Sequence, residues 1–335
     1  MIGWAMSALM ATALPALARD QIRIASSSTV YPFAAVVAEH FGKTSGFKAP
    51  VIESTGSGGG LKLFCASVDQ ESPDIASASR RITDSELRTC RRNGVTDITE
   101  IAIGYDGIVV ADAKPGRSFD LTRRDLFLAI AKSVPVDGRL APNPYRTWDQ
   151  INAALPHEDI TVYGPAPNHG TRDVLDALVM EAACREFPEI DRLDGKAERQ
   201  ACEAMREDGR FIEVSENYTV TLRKLLADPQ ALGILPFSYL DQNGDKVKAA
   251  SLDGQIPGYD AIYSGRYPLS RPLYIYVKKA HLGVTAGIRE FLAEFTSEKA
   301  SGKGGYLAER GLIALPDGQR RMEAAKAVSL PNLAF

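Results

Sequence analysis

Four times in this chain a short apolar run ends in small and hydroxyl residues and gives way to a helical pattern. The clearest case is Glu53-Ser54-Thr55-Gly56-Ser57-Gly58-Gly59-Gly60-Leu61, with four glycines and three hydroxyl residues. Glycine lets backbone N–H groups converge and approach a ligand closely. A helix that begins at such a loop aims its free N–H groups and its positive dipole end at whatever sits there, which makes an anion site. The alternative for this stretch alone is a flexible Gly/Ser linker. The same grammar opens the chain, where Gln21–Ala25 reads as a strand and Ser26-Ser27-Ser28-Thr29-Val30-Tyr31-Pro32 as a helix start. Phe33, Val36, Val37 and Phe41 then recur at helical spacing. It returns at Asp74–Ala78, followed by Ser79-Arg80-Arg81 and a capping box of Thr83 with Glu86. The fourth instance is Ile160–Tyr163, then Gly164–Asp173, then a helix bearing Val174, Leu175, Leu178 and Val179 on one face.

Strands that alternate with helices predict an α/β fold with largely parallel sheets. In such sheets ligands bind at the carboxyl ends of the strands, where all four loops fall. The 335 residues suffice for two lobes. Ile98–Ile103 and Gly107–Ala111 read as strands split at Gly104-Tyr105-Asp106, a place suited to a crossing between lobes, and Pro272–Val277 as a returning strand. Leu121–Lys132 reads as a helix, Val134–Tyr145 as a Pro/Gly-rich loop, residues 185–210 as charged and helical, and His281–Lys299 and Gly304–Arg310 as helical.

The net charge of -3 does not suit a polyanion such as nucleic acid, so an anionic ligand must be caught by local geometry. Residues 1–18 read as a secretory signal, with Ala16-Leu17-Ala18 as the cleavage pattern before Arg19. Four cysteines in an exported chain predict two disulfides. Three pairings are open; nearness in sequence favours Cys65–Cys90 with Cys184–Cys202, since a bond between lobes would hinder their closure. No HExxH or CxxC spacing is present, and no metal or cofactor is expected.

Taken together, Ser27–Pro32, Thr55–Gly60, Asp74–Arg80, Ile103–Val109, Gly170–Asp173 and Tyr267–Tyr274 are similar to the signatures of one family. The chain resembles the periplasmic phosphate-binding proteins of ABC-type phosphate importers over nearly its whole exported length. The resemblance implies a two-lobed type II periplasmic binding protein fold, each lobe a mixed, mostly parallel sheet flanked by helices, joined by a two-strand hinge. Lobe I would be residues 19–104 with 265–335, and lobe II residues 105–264. It implies a monomer that binds inorganic phosphate in the periplasm, delivers it to a membrane permease and catalyses nothing.

Carried over by position, Ser28, Thr29, Val30 and Tyr31 supply hydroxyl and backbone donors, Ser57 and Ser79 donate from their loops, and Gly170 and Thr171 donate from lobe II, with Arg172 beside them. Two departures stand out. His169 takes the place of a serine. Arg80 stands where some members have the aspartate that accepts the proton of hydrogen phosphate, the group that rejects sulfate. Arg80 adds a charged donor instead, so another oxyanion such as sulfate is an alternative ligand, as is a signalling or surface role on the same fold. If His169 lines the site, its protonation tightens anion binding as pH falls through about 6.5. A hydrolase built on Ser57 or Ser79 with His169 lacks a GxSxG elbow.

Overall fold

The computed structural model describes residues 19–167, 170–214 and 218–333. The expected signal segment and His169 lie outside the described residues. The strands are β1 (Arg23–Ser26), β2 (Val51–Ser54), β3 (Ile75–Ala78), β4 (Ile98–Ala113), β5 (Asp120–Leu121), β6 (Ser133–Val136), β7 (Arg139–Pro142), β8 (Val162–Pro165), β9 (Phe211–Val214), β10 (Leu232–Pro236), β11 (Val247–Ala249), β12 (Ser251–Leu252) and β13 (Ser270–Lys278). The main sheet runs β2-β1-β3-β13-β4-β10-β8-β9, with β11 added to β4. Its two ends are parallel: β1 with β2 and β3, and β8 with β9 and β10. Its centre is antiparallel, where β4 meets β13 and β10.

The helices that matter for the site are α1 (Tyr31–Thr44), α2 (Ser57–Phe64), α3 (Asp84–Arg92), α4 (Arg123–Ile130), α5 (Trp148–Ile151) and α6 (Gly170–Leu175). Apolar packing divides near the middle of β4. Phe41, Phe291 and Phe295, with Leu61, Phe64 and Tyr276 beside them, fill cores drawn from residues 22–103 and 273–330. Phe127, Trp148, Val162 and Leu225 fill another, drawn from residues 108–269 and Ile313.

β4 is one strand of 16 residues, not two. β13 pairs along it from Ser270–Gly107 to Lys278–Ile98, with one irregularity where Leu273 faces Gly104 and Tyr274 faces Ala102. That extra residue is a bulge, which bends a strand without ending it. Gly104 has φ 154°, and a Cβ there would lie 2.7 Å from Leu312 Cδ1 and 2.9 Å from the Ile313 carbonyl oxygen. Only glycine admits that approach. Besides β4 and β13, a third segment lies at the crossing: Tyr105 and Ile313 exchange both backbone hydrogen bonds, at 2.8 and 2.9 Å.

Residues 133–142 form a β6–β7 hairpin and not the loop expected. Asp137 and Gly138 both have positive φ, 50° and 75°, as a two-residue type I′ turn requires. Pro135 and Pro142 masked the strands, yet proline is tolerated in an edge ribbon. The expected single helix after Gly170 is interrupted: α6 passes into a π-turn at Asp176–Met180 before helix resumes at Glu181–Cys184. The sequence reading has no helix at Asp317–Ser329. Its inward face carries Arg320 and Glu323 with Ala327, so it has no apolar stripe to see. Glu323 instead accepts the Ala102 N–H at 2.9 Å.

The disulfides are Cys65–Cys90 and Cys184–Cys202, with Cα separations of 4.2 and 5.5 Å. The first staples α2 to α3, so the Gly-rich loop rests on a helix that cannot drift. In the chain-entropy model each contributes about 3 kcal/mol.

At the far end of the lobe I sheet, Asp74 accepts from the Arg23 N–H (2.7 Å), His281 Nδ1 (2.7 Å) and Thr285 Oγ1 (2.9 Å), and from Arg19. Burial pushes this carboxyl up; the hydrogen bonds from His281, Arg23 and Thr285, with the Arg19 charge, more than offset it and hold it below the usual range. A depressed carboxyl contributes stability that is present at neutral pH and lost as pH falls below about 3.9. Asp74→Asn is expected to cost about 3–5 kcal/mol at pH 7 and less at pH 3. Urea denaturation at both pH values reads this; equal losses at both would remove the electrostatic account.

Candidate functional site

The loops after β1, β2 and β3 meet at one edge of lobe I. The Ser27 carbonyl accepts the Tyr31 N–H at 2.9 Å, and Ser27 Oγ accepts the Val30 N–H at 3.1 Å. The amides of Val30 and Tyr31 are therefore committed to Ser27. Val30 is wholly buried and the Tyr31 side chain is exposed. The amides of Ser28 and Thr29, by contrast, meet no protein acceptor among the described residues.

Next to this turn, Gly56 takes φ 73° and α2 begins at Ser57. A Cβ on Gly60 would sit 3.0 Å from the Ala25 carbonyl oxygen, so glycine lets α2 press its start against β1. Ser57 Oγ accepts the Ser79 N–H at 3.1 Å and lies 3.2 Å from Ser79 Oγ. That pair ties the second loop to the third.

Arg80 bonds neither of these hydroxyls. Its guanidinium holds Glu86 in a fork, at 2.8 and 2.9 Å. The same Glu86 closes the capping box of α3 through the Thr83 N–H. Burial pushes Glu86 up, and the bonds from Arg80 and Thr83 bring it below its ordinary value. Arg80 thus braces α3. Arg80→Ala is expected to change affinity for an anion in the cleft by less than about threefold and stability by about 1 kcal/mol or less, the range of partly exposed ion pairs. An affinity loss above tenfold in a titration would put Arg80 back among the ligand contacts.

From the other lobe, Thr171 is buried at the start of α6, its Oγ1 2.5 Å from Tyr218 Oη. Gly170 is the first residue of α6. Arg172 is buried and spent on structure: Nε bonds Asp176 at 2.9 and 3.1 Å, and Nη1 bonds Glu213 at 3.2 Å.

Two residues outside the expected set line the same cleft. Arg271 on β13 faces Asp106 on β4 in register. Its Nη2 donates to Thr29 Oγ1, and its Nε lies 3.9 Å from Asp106 Oδ2. Nε itself is buried without a hydrogen-bond partner. Burial lowers the Arg271 pKa, against the pull of Asp106 and Asp173. Asp106 is pushed up to about 6, chiefly by burial and slightly by Asp173, against Arg271 and the Gly107 N–H. Sequence reasoning looked for donors at helix starts and so passed over both. A lone aspartate and a lone arginine inside apolar strands were the available signal.

The cleft encloses about 360 Å³ beside Ser28, Thr29, Ser57, Ser79, Arg271 and Asp173. A second compartment of about 220 Å³ shares Thr29 and adds Asp106, Thr171 and Tyr218. Asp176, Glu181 and Glu203 also line the first, so the walls carry more acid than base. An anion here would meet aimed donors and not a positive field. Neutral donors to a charged acceptor contribute about 1.5–3 kcal/mol each.

The PBP superfamily domain matches residues 11–299. The chain belongs to the PBP superfamily. Among superfamily proteins, SphX of Synechocystis sp. is 30% identical over 311 residues, 90% of this chain and 81% of SphX. The phosphate-binding protein PstS of Staphylococcus saprophyticus is 27% identical over 296 residues, 87% of this chain and 79% of PstS. The crystal structure of a possible phosphate binding protein from Planctomyces limnophilus superposes with a TM-score of 0.74 at 26% identity, covering 93% of this chain and 99% of that one. A phosphate transport receptor from Vibrio cholerae shares the fold, with a TM-score of 0.57 at 21% identity over 88% of this chain and all of that one. The α/β architecture read from the alternation of strands and helices, and the two lobes that the resemblance implies, are therefore those of the superfamily.

Proposed function

We propose that this chain is an exported receptor that captures inorganic phosphate between its lobes and hands it to the permease of an ABC importer. The observation that carries the reading is Arg271, held between Thr29 and Asp106 at the hinge, with the serine loops converging beside it. Arg271 supplies charge. The amides of Ser28 and Thr29 and the hydroxyls of Ser57 and Ser79 supply donors. Asp106 supplies what sulfate cannot use: a carboxylate that accepts the proton of hydrogen phosphate. That observation favours phosphate over sulfate, and it does the work expected of the aspartate that Arg80 replaces.

The division of the cores supports a lobe boundary near 104/105, whereas Tyr267 and Leu269 pack with lobe II, which moves the second boundary from 264/265 to beyond Leu269. In this reading the chain acts as a monomer in the periplasm after loss of residues 1–18, and no helix among the described residues is long and apolar enough to cross a membrane. Ser57 and Ser79 act as donors, not nucleophiles: they bond each other, and the described histidines at 40, 157 and 281 pair with Glu294, Asp149 and Asp74 elsewhere. Calorimetric titration of phosphate-stripped protein tests the reading. Saturable heat with phosphate and a weaker response to sulfate are expected; no response to phosphate would sink it.

A further inference from the structure

The rear compartment is more than the anion itself needs. It holds about 220 Å³, roughly seven times a water molecule's share of liquid volume. The donors that suit an oxyanion, the serines and Arg271, lie in front. Beyond Thr29 its wall carries Pro32, Phe33 and Pro236, together with Gly311 and the exposed, charged Glu309 and Arg310. Thr171 and Tyr218 there are bonded to each other. Asp106 lines the rear compartment beside these apolar groups.

We propose that this compartment receives the carbon substituent of a small phosphonate, so that the receptor takes phosphonates as well as inorganic phosphate. The inference rests on the phosphate reading of the same cleft. A monoanionic phosphonate keeps two oxygens for the front donors and one P–OH for Asp106, and its carbon replaces the fourth oxygen. Its short chain then lies on Pro32, Phe33 and Pro236. A phosphate monoester fits less well, because its second proton leaves near pH 6 and the dianion has none to offer Asp106 at neutral pH.

Titration of the protein with phosphate, methylphosphonate, n-propylphosphonate and methyl phosphate at pH 7 tests this. Both phosphonates are expected to displace phosphate with affinities within about a hundredfold of it, and methyl phosphate to bind at least about tenfold more weakly than methylphosphonate. Phe33→Trp, which fills the compartment, is expected to lower the ratio of propylphosphonate to phosphate affinity at least about tenfold. Thermal denaturation checks that the variant is folded; if it is not, the four wild-type titrations decide alone. Phosphate binding that a roughly thousandfold excess of either phosphonate leaves untouched overturns this inference and spares the phosphate reading. No binding of phosphate overturns both.

Discussion

Arg271→Ala is expected to weaken phosphate binding by about 2–5 kcal/mol, roughly thirtyfold to several thousandfold. Arg271 lines the cleft, its side chain is 14% exposed, and it comes from β13 at the crossing between lobes. A guanidinium in that position donates to an oxyanion from a fixed plane. It also anchors Thr29 through a side-chain hydrogen bond, so its loss loosens the first serine turn as well. The change leaves Asp106 buried without its counter-ion, and the Asp106 pKa rises further above its present value of about 6. Arg271→Lys keeps the charge but not the fork, and falls between the two. Calorimetry with phosphate reads the affinities, and thermal denaturation without ligand separates loss of binding from loss of fold. An affinity within fivefold of wild type would remove Arg271 from the ligand contacts.

The second large effect is on discrimination. Wild type is expected to prefer phosphate over sulfate, and Asp106→Asn to shrink that preference by about a hundredfold or more. In the proposed reading the carboxylate accepts from hydrogen phosphate, a charged hydrogen bond of about 1.5–3 kcal/mol, and repels an anion that has no proton. An amide NH₂ removes the repulsion and donates to either ligand. Selectivity should also fall in the wild type as pH drops through about 6, since Asp106 then becomes a neutral donor. For stability the sign is opposite to that of Asp74. A carboxyl whose folded pKa is raised favours the folded state most below its unfolded pKa of about 3.9, and that contribution is lost as pH rises through about 6. Asp106→Asn should therefore stabilise the ligand-free protein at pH 8 relative to wild type, with little change at pH 4. Parallel titrations with phosphate and sulfate at pH 5 and 8 check the first claim, and denaturation at pH 4 and 8 the second. Unchanged selectivity in the variant would return the proton acceptor to another residue.

Much of this was legible in the chain because it depends on neighbours in sequence. The Gly56–Gly60 loop, the Ser27–Thr29 turn and the capping box of Thr83 with Glu86 are chemistry within a few residues, and each appears where that chemistry puts it. The two disulfides join cysteines 25 and 18 positions apart, close enough for local packing to pair them. The long-range partners were not legible. Arg80 could have faced the anion, and only the placement of Glu86 shows where its guanidinium goes. Arg172 was open in the same way until Asp176 and Glu213 claimed it. The hairpin at 133–142 and the helix at 317–329 escaped for another reason: prolines in the first, and buried charges in the second, break the hydrophobic period that marks an element.

By itself, then, the chain determined the architecture and the kind of site. Alternating strands and helices predict α/β packing around largely parallel sheets, and hydroxyl or glycine turns before helices offer anion-seeking amides at the strand ends. Tertiary structure alone decided which charges face each other at the crossing between the lobes. Asp106 and Arg271 are 165 residues apart in numbering, mid-strand and unremarkable singly, yet opposite each other in the β4–β13 register. A charge acquires its role from burial and from the partner facing it, and both are properties of the folded sheet.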